Sequence, residues 1–318
     1  MGAVKSAFNM KKISIVTPCF NEESNVEALY SRVKEIFHKL GSYDYEHLFI
    51  DNASADGTHG AIRKLATADS RVKVIINARN FGHIRSPFYG LMQAAGDAVI
   101  LLAADFQDPP ELINDFVRQW EAGYKVVLGI KTNSGESGLM FALRKLYYNI
   151  VDNLAEVRIN KNNTGFGLYD KRVIEELKKL EDPYPFFRGL VSELGFEAAK
   201  VEYFQPARKR GLTKNNFYTL YDIGMLGIIN HSKVPLRLAI FAGVAMSAVN
   251  FIVALVYLVY KLAYWNSFSV GAAPVVIGLF FFSSVQLVFL GVIGEYIGAI
   301  YTQTLKRPLV IEKERINF

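Results

Sequence analysis

A chain of 318 residues is long enough for one large domain or two modest ones, and 51% hydrophobic against 21% charged residues excludes an intrinsically disordered protein. The apolar residues crowd into the last third, which excludes a wholly soluble protein of ordinary type. The net charge of +6 suits a membrane surface, nucleic acid or phosphorylated ligands, the lone Cys19 excludes an intramolecular disulfide, and five scattered histidines give no zinc spacing.

From Met1 to about Tyr218, short apolar runs alternate with longer amphipathic ones. Strands are expected at residues 13–16, 47–50, 72–76, 98–102 and 126–129. Helices are expected at 23–40, 56–67, 86–95 and 110–120. The alternation predicts βαβ units and an α/β domain (1–217) with a mainly parallel sheet. Such sheets take ligands beyond the carboxyl ends of their strands, where Asp51 and Asp105 fall.

After a connector at 218–235 the character changes. Residues 238–260 and 271–294 carry no charge, and each run exceeds the ~20 residues that span a bilayer. Two such uninterrupted runs argue against a buried soluble hairpin. Lys233 and Arg237 precede the first span, and Lys306, Arg307, Lys313 and Arg315 follow the second, whereas the loop has only Lys261. Both ends, including a tail at 304–318, are therefore expected on the cytosolic side of an integral membrane protein. Residues 1–12 lack the apolar core of a cleavable signal peptide. The myristoylation-like start and the two sequon matches, at Asn52 and Asn162, read as chance. The connector, with Tyr218, Tyr221, Met225, Ile228 and Ile229 at helical spacing, reads equally as an interfacial helix or a plain packed segment. Small residues such as Gly243, Ala245, Gly278, Gly291 and Gly294 allow helix association into a homo-oligomer.

Four polar stretches carry chemistry. Thr17 to Glu23 ends a strand in a polar turn, which serves helix initiation or cradles a base or ribose. Asp51 to Thr58 crowds carboxylates and hydroxyls into a strand-to-helix turn, with Ser54 or Asp56 as a helix cap or the group as a base or ribose contact. In Asp105-Phe106-Gln107-Asp108-Pro109-Pro110-Glu111, Asp108, Pro109 and Glu111 read as a helix start. Asp105 and Gln107 are left unexplained by it, and oxygen ligands with substrate phosphates suit Mg²⁺ or Mn²⁺. Arg208 to Asn216 holds four cations before the membrane, either a patch for anionic headgroups or a phosphate clamp. Phe186, Phe187 and Arg188 read as a turn packed on the core rather than a lipid-facing loop.

Taken with Arg79-Asn80-Phe81-Gly82, Gly211-Leu212-Thr213-Lys214 and Leu290 to Tyr296, these stretches make the chain resemble the membrane-anchored family 2 glycosyltransferases that use polyprenyl phosphate (dolichyl or undecaprenyl phosphate). The resemblance runs from Ile13 through the second span. It implies a GT-A fold, a UDP- or GDP-linked sugar donor, Mg²⁺ or Mn²⁺, and inverting transfer to a lipid phosphate at the cytosolic face of the inner membrane in cell-envelope glycan synthesis, with no nucleic-acid partner. It implies that Pro18, Asn21, Glu22 and Asp51 line the nucleoside pocket and that Arg79 and Asn80 border it. Asp105 and Gln107 would hold the metal against the diphosphate, and Arg208 and Lys214 would bind phosphate. The chain departs from the family pattern at Ala103, where the first acid of Asp-x-Asp would stand, at Asn52-Ala53-Ser54 in place of Asp-Gly-Ser, and at Thr164-Gly165-Phe166-Gly167-Leu168, which lacks the acceptor-side Asp. Rival readings are a transferase with another glycan or lipid acceptor, although the Gln-x-x-Arg-Trp motif of polysaccharide synthases is absent, and a degenerate nucleotide-binding scaffold.

Overall fold

Ile13, Ile15 and Val16 sit in the first strand, β1 (Lys12–Cys19), with no exposed surface. This run of buried residues is what a strand covered on both faces requires. The computed structural model describes residues 10–133, 162–205, 225, 227, 229, 232–264 and 272–318. After β1 come α1 (Glu23–Leu40), β2 (Asp44–Asp51), α2 (Thr58–Ala68), β3 (Val72–Asn77), α3 (Gly82–Gln93) and β4 (Ala98–Leu101). A 3₁₀ turn (Pro110–Leu112) leads into α4 (Ile113–Glu121) and β5 (Val126–Asn133). Then follow β6 (Asn163–Asp170), α5 (Lys171–Lys179), α6 (Phe187–Glu193), β7 (Ala198–Phe204), two long helices, α7 (Val234–Ala263) and α8 (Ala272–Thr304), and β8 (Glu312–Ile316).

The strands form one sheet in the order β7-β5-β6-β4-β1-β2-β3-β8. β1 pairs in parallel with β2 and β4, β2 with β3, and β5 with β7, whereas β6 runs antiparallel to β4 and β5, and β8 to β3. The expected mainly parallel sheet is thus mixed and mostly parallel. Helices α1, α2 and α4 cover one face through Val26, Leu29, Val33, Ile62 and Phe116. Helices α3, α5 and α6 cover the other through Phe88, Leu91, Val173, Leu177 and Leu190. From β1 the chain moves outward through β2 and β3, then returns to place β4 on the other side of β1. The loops after β1 and β4 diverge there, at the switch point that makes a cleft in open α/β sheets.

A buried polar knot ties the opposite end of the sheet. The Glu46 carboxylate meets Lys12 at 2.5 Å and Lys73 at 2.9 Å, and accepts hydrogen bonds from Ser14 Oγ at 2.7 Å and Ala95 N at 2.9 Å. Burial opposes ionisation, but the lysines, Ser14 and the Ala95 N–H outweigh it and hold the carboxyl at about 2. Farther along β2, His47 is fully buried, stacked on Phe49 at 4.0 Å with Nε2 at 2.9 Å from Thr17 Oγ1, and burial pushes its pKa down to about 3. Below its ordinary 6.5 the unfolded chain takes up a proton that the folded chain refuses. His47 therefore contributes stability that is complete above pH 6.5 and lost as pH falls towards 3, about 4–5 kcal/mol in all. Glu46 adds a loss of the same sign between 4.5 and 2. Buried Asp108, raised to about 6, acts in the opposite sense. The test is therefore the difference between variants: His47→Gln should flatten the pH dependence of the melting temperature between pH 6.5 and 4, and equal slopes for variant and wild type would refute the assignment.

Helices α7 and α8 span about 45 and 50 Å at 1.5 Å per residue, longer than the ~30 Å hydrocarbon core. The expected span 238–260 lies inside α7 and residues 272–294 of the second lie inside α8, and the helices run on past the spans at their α/β-domain ends, α8 by a full ten residues. The apolar side chains of both are exposed, as lipid-facing surfaces are. The emerging end of α8 meets the α/β domain, where Gln303 Nε2 donates to Asp182 Oδ1 at 2.9 Å, and the connector, where Tyr296 OH donates to the Ser232 carbonyl at 2.6 Å. What the sequence offers only as a tail at 304–318 returns as β8 on the β3 edge. Asn317 Nδ2 donates to the carbonyls of Ala66 and Val72, Arg315 to Gln93, and Arg63 pairs with Glu314. The charged Glu-Lys-Glu-Arg run also gives this edge strand the character that discourages further pairing. The α/β domain and β8 therefore lie at the same end of α7 and α8.

Candidate active site

Three loops at the carboxyl ends of the central strands each hold a non-glycine residue in the left-handed region: Asn21 (φ 58°) after β1, Ala53 (φ 60°) after β2 and Phe106 (φ 58°) after β4. Each costs roughly 1 kcal/mol or more, strain that persists only where the surroundings over-determine it.

The β1 and β2 loops are stapled reciprocally. Asn21 N donates to Ser54 Oγ at 2.8 Å, and Asn21 Oδ1 accepts from Ala55 N at 2.8 Å. Glu22 N donates to Thr58 Oγ1 at 2.9 Å, and the Glu22 carboxylate accepts from Asn25 Nδ2 at 2.6 Å. Pro18, half-buried, is in register with Ile50 just before this junction. Asp51 has no exposed surface; it accepts from Ser54 N at 2.9 Å and Ser54 Oγ at 2.5 Å and pairs with His59 Nε2. Asp56, not Ser54, accepts from the Thr58 N–H of the first turn of α2. Burial, with Asp51, Glu22 and Asp56 nearby, pushes the Cys19 thiol well up, so it is no nucleophile.

The β3 loop is clamped by a residue the sequence shows only as a departure from Asp-Gly-Ser. Asn52 Nδ2 donates to Asn80 Oδ1 at 2.9 Å and to the Gly82 carbonyl at 3.1 Å, while its Oδ1 accepts from Asn77 Nδ2 at 3.1 Å and Phe81 N at 2.9 Å. Asn77 also donates to Ser86 Oγ at 3.0 Å. Asn80 Oδ1 further accepts from Gly82 N at 2.7 Å, and the exposed Arg79 lies over the Phe81 ring at 4.0 Å. The structure thus brings Pro18, Asn21, Glu22, Asp51, Arg79 and Asn80 to one rim.

Across the switch point, Asp105 sits at the turn after β4, 9% exposed, and accepts from Gln107 N at 3.2 Å. Asp108 is not the helix cap that its sequence context suggests. Pro109 holds the cap position of the 3₁₀ turn without a side-chain bond, and the Asp108 carboxylate is buried, accepting from Tyr203 OH at 2.8 Å. Burial pushes Asp108 up to about 6, with Asp105 adding to the rise. The reason is tertiary: Tyr203, 95 residues away on β7, supplies the donor. Among the described residues no three His, Cys, Asp or Glu side chains form a metal cluster. One carboxylate and one amide still fit Mg²⁺ or Mn²⁺, which take few protein ligands when substrate phosphates complete the shell. Arg208 and Lys214 lie outside the described residues, as does most of the 218–231 connector. Phe186 is buried, and Phe187 packs on Tyr169 at 4.9 Å and Phe88 at 6.2 Å, the packed arrangement that the sequence favours.

This α/β fold of GT-A type, with its carboxyl-end carboxylate turn and apolar helix hairpin, has the build of a membrane glycosyltransferase. Residues 14–177 match the family model described as glycosyl transferase family 2, and the chain belongs to that family. It is 37% identical over 299 residues to the uncharacterized glycosyltransferase YkcC of Bacillus subtilis (strain 168), covering 94% of this chain and 92% of that protein. It is 33% identical over 304 residues to the SfII prophage-derived bactoprenol glucosyl transferase of Shigella flexneri, covering 95% and 98%. Among solved structures, a mannosyltransferase from Pyrobaculum calidifontis in complex with GDP-Man and Mn²⁺ is 15% identical with a TM-score of 0.47, covering 93% and 88%.

Proposed function

We propose that the protein transfers a sugar from a nucleotide sugar to a membrane polyprenyl phosphate at the cytosolic face, with inversion at the anomeric carbon. The observation that carries this reading is the end-to-end likeness, membrane helices included, to a protein named bactoprenol glucosyl transferase. The positive charges flanking the hairpin, with the α/β domain and β8 at the same end of its helices, support the cytosolic placement.

A phosphate monoester has a second pKa near ~6 and is mostly dianionic at neutral pH. Its oxygen is a nucleophile without a base to deprotonate it, so Thr164 to Leu168 can do without an acceptor-side Asp. The lipid phosphate oxygen bonds to the anomeric carbon on the face opposite the leaving group. The bond from that carbon to the diphosphate oxygen breaks, and its electron pair leaves with the nucleoside diphosphate. Asp105 and Gln107 would hold Mg²⁺ or Mn²⁺, which neutralises charge on the leaving diphosphate. The stapled β1, β2 and β3 loops orient the nucleoside, with Pro18, Asn21, Glu22 and Asp51 beneath it and Arg79 and Asn80 at its edge. Arg208 and Lys214 add phosphate-binding charge.

The test is a product assay on the detergent-solubilised protein with Mn²⁺, a panel of UDP- and GDP-sugars, and undecaprenyl phosphate present or withheld. Glycosyl phospholipid by mass spectrometry from one donor is the expected result. Nucleotide release without glycolipid would refute the acceptor, and no turnover by the folded protein would refute the enzyme.

A further inference from the structure

A cavity of about 310 Å³ lies at the end of β4, and none of the residues assigned above to the nucleoside or the metal lines it. α3 supplies Ile84, Pro87 and Phe88, β4 supplies Leu101, and Phe187 and Arg188 close it from α6. Its size falls at the low end of the ~300–1,000 Å³ of small-ligand sites. Pro87 stands inside α3, has no N–H for the carbonyl four residues earlier, and lines the cavity. Gly165 (φ 95°) brings β6 close to Leu101 and Phe187 at its floor.

Three features define what would fit. The lining is apolar and aromatic. A cation stands at its wall: Arg188 lies over Phe186 at 5.1 Å and donates from Nη1 to the Asn163 carbonyl at 3.0 Å, its only side-chain hydrogen bond among the described residues. Finally, the cavity has neighbours on two sides. Thr164 at its edge bonds to the Tyr203 phenol, which donates to Asp108 beside the Asp105 turn. On its other side α6 separates it from a second cavity, about 400 Å³, lined by Leu190, Tyr296 and Ile300 together with Asp182 and Glu193. The first cavity, with Arg188 in its wall, thus lies between the α8 end of the fold and the carboxylate turn.

The geometry points to this cavity as the seat of the phosphate-bearing end of the acceptor lipid: its first isoprene units fill the pocket, and Arg188 holds the phosphate. The assignment rests on the polyprenyl-phosphate reading above and locates that substrate. It also gives Arg188 a role in acceptor binding distinct from donor binding.

The experiment uses the full chain in detergent, with Ile84→Trp to fill the cavity and Arg188→Ala and Arg188→Lys to vary the charge, each checked by its melting temperature. Ile84 is partly exposed, so the larger ring has room to be accepted without unfolding the core. Ile84→Trp and Arg188→Ala should raise KM for undecaprenyl phosphate by about tenfold or more, the equivalent of ~1.4 kcal/mol, and leave KM for the donor within about twofold. Arg188→Lys should recover part of the loss. Calorimetry with farnesyl phosphate, which needs no turnover, should show binding to wild type and none to Ile84→Trp. Unchanged lipid KM and farnesyl phosphate binding in folded variants would overturn the proposal. A rise in donor KM alone would also overturn it, giving the cavity to the donor sugar. If farnesyl phosphate binds in this way while wild type makes no glycolipid, the cavity stands and the transfer reading fails.

Discussion

Asp105→Asn should lower turnover by about 10²–10³-fold, the scale of removing one strong electrostatic contact to a developing charge. The melting temperature should stay where it is. The reason lies in what Asp105 does within the fold. It accepts a hydrogen bond from Gln107 N, which an asparagine oxygen also accepts, so the substitution removes the charge and keeps that bond. Ala103 stands where a second acid would share the load, so no neighbouring carboxylate of the same motif can compensate. Asp108 cannot substitute either, because it is buried and committed to Tyr203. Binding of UDP with Mn²⁺, followed by calorimetry, should weaken in parallel with turnover. If the variant keeps more than about a tenth of wild-type activity, the diphosphate charge is neutralised elsewhere and the role given to Asp105 is wrong.

The parts of the fold that could be read from the sequence are those whose local pattern agrees with their tertiary setting. α1 is found at residues 23–40 as expected, because its apolar positions Val26, Leu29, Val33, Ile36 and Phe37 recur at helical spacing and Gly41 (φ 57°) ends it. β1 to β5 announce themselves as short apolar runs. β6 does not: Asn-Thr-Gly-Phe-Gly-Leu-Tyr-Asp reads as a turn-rich stretch. Its glycines instead answer to neighbouring strands, as does Gly129, where a Cβ would lie 2.9 Å from Phe166. β8 has almost no apolar residues and exists because the β3 edge offers a ladder. The same division holds in the site. Asn21, Asp51 and Asp105 are legible because strand ends at a switch point collect ligand-binding groups. The partners of Asn52 and Asp108 are not, because they lie 25 to 95 residues away and leave no local trace.

Asn52 carries the second large effect. Its side chain is 7% exposed and makes four hydrogen bonds, to Asn77, Asn80, Phe81 and Gly82, that tie the β3 loop to β2. Asn52→Ala strands all four groups at once. Asn77 keeps Ser86, and the exposed Asn80 regains water, so the expected cost is about 2–4 kcal/mol rather than the full sum. Because Arg79 and Asn80 ride on that loop, donor KM should rise more than kcat falls. The more telling variant is Asn52→Asp, which restores the acid common in the family. A carboxylate would still accept from Asn77 Nδ2 and Phe81 N, but it would face the oxygens of Asn80 and Gly82 where Asn52 now donates. Turning the Asn80 amide to donate would forfeit its bond from Gly82 N. Asn52→Asp should therefore melt below wild type and bind donor more weakly, despite matching the family pattern. Asparagine at 52 belongs with Asn77 and Asn80 as one unit, and the conflict an acid would meet lies at the Asn80 and Gly82 oxygens. A single Asn52→Asp protein with wild-type melting temperature and donor KM would show that the clamp neither stabilises the loop nor orients the donor.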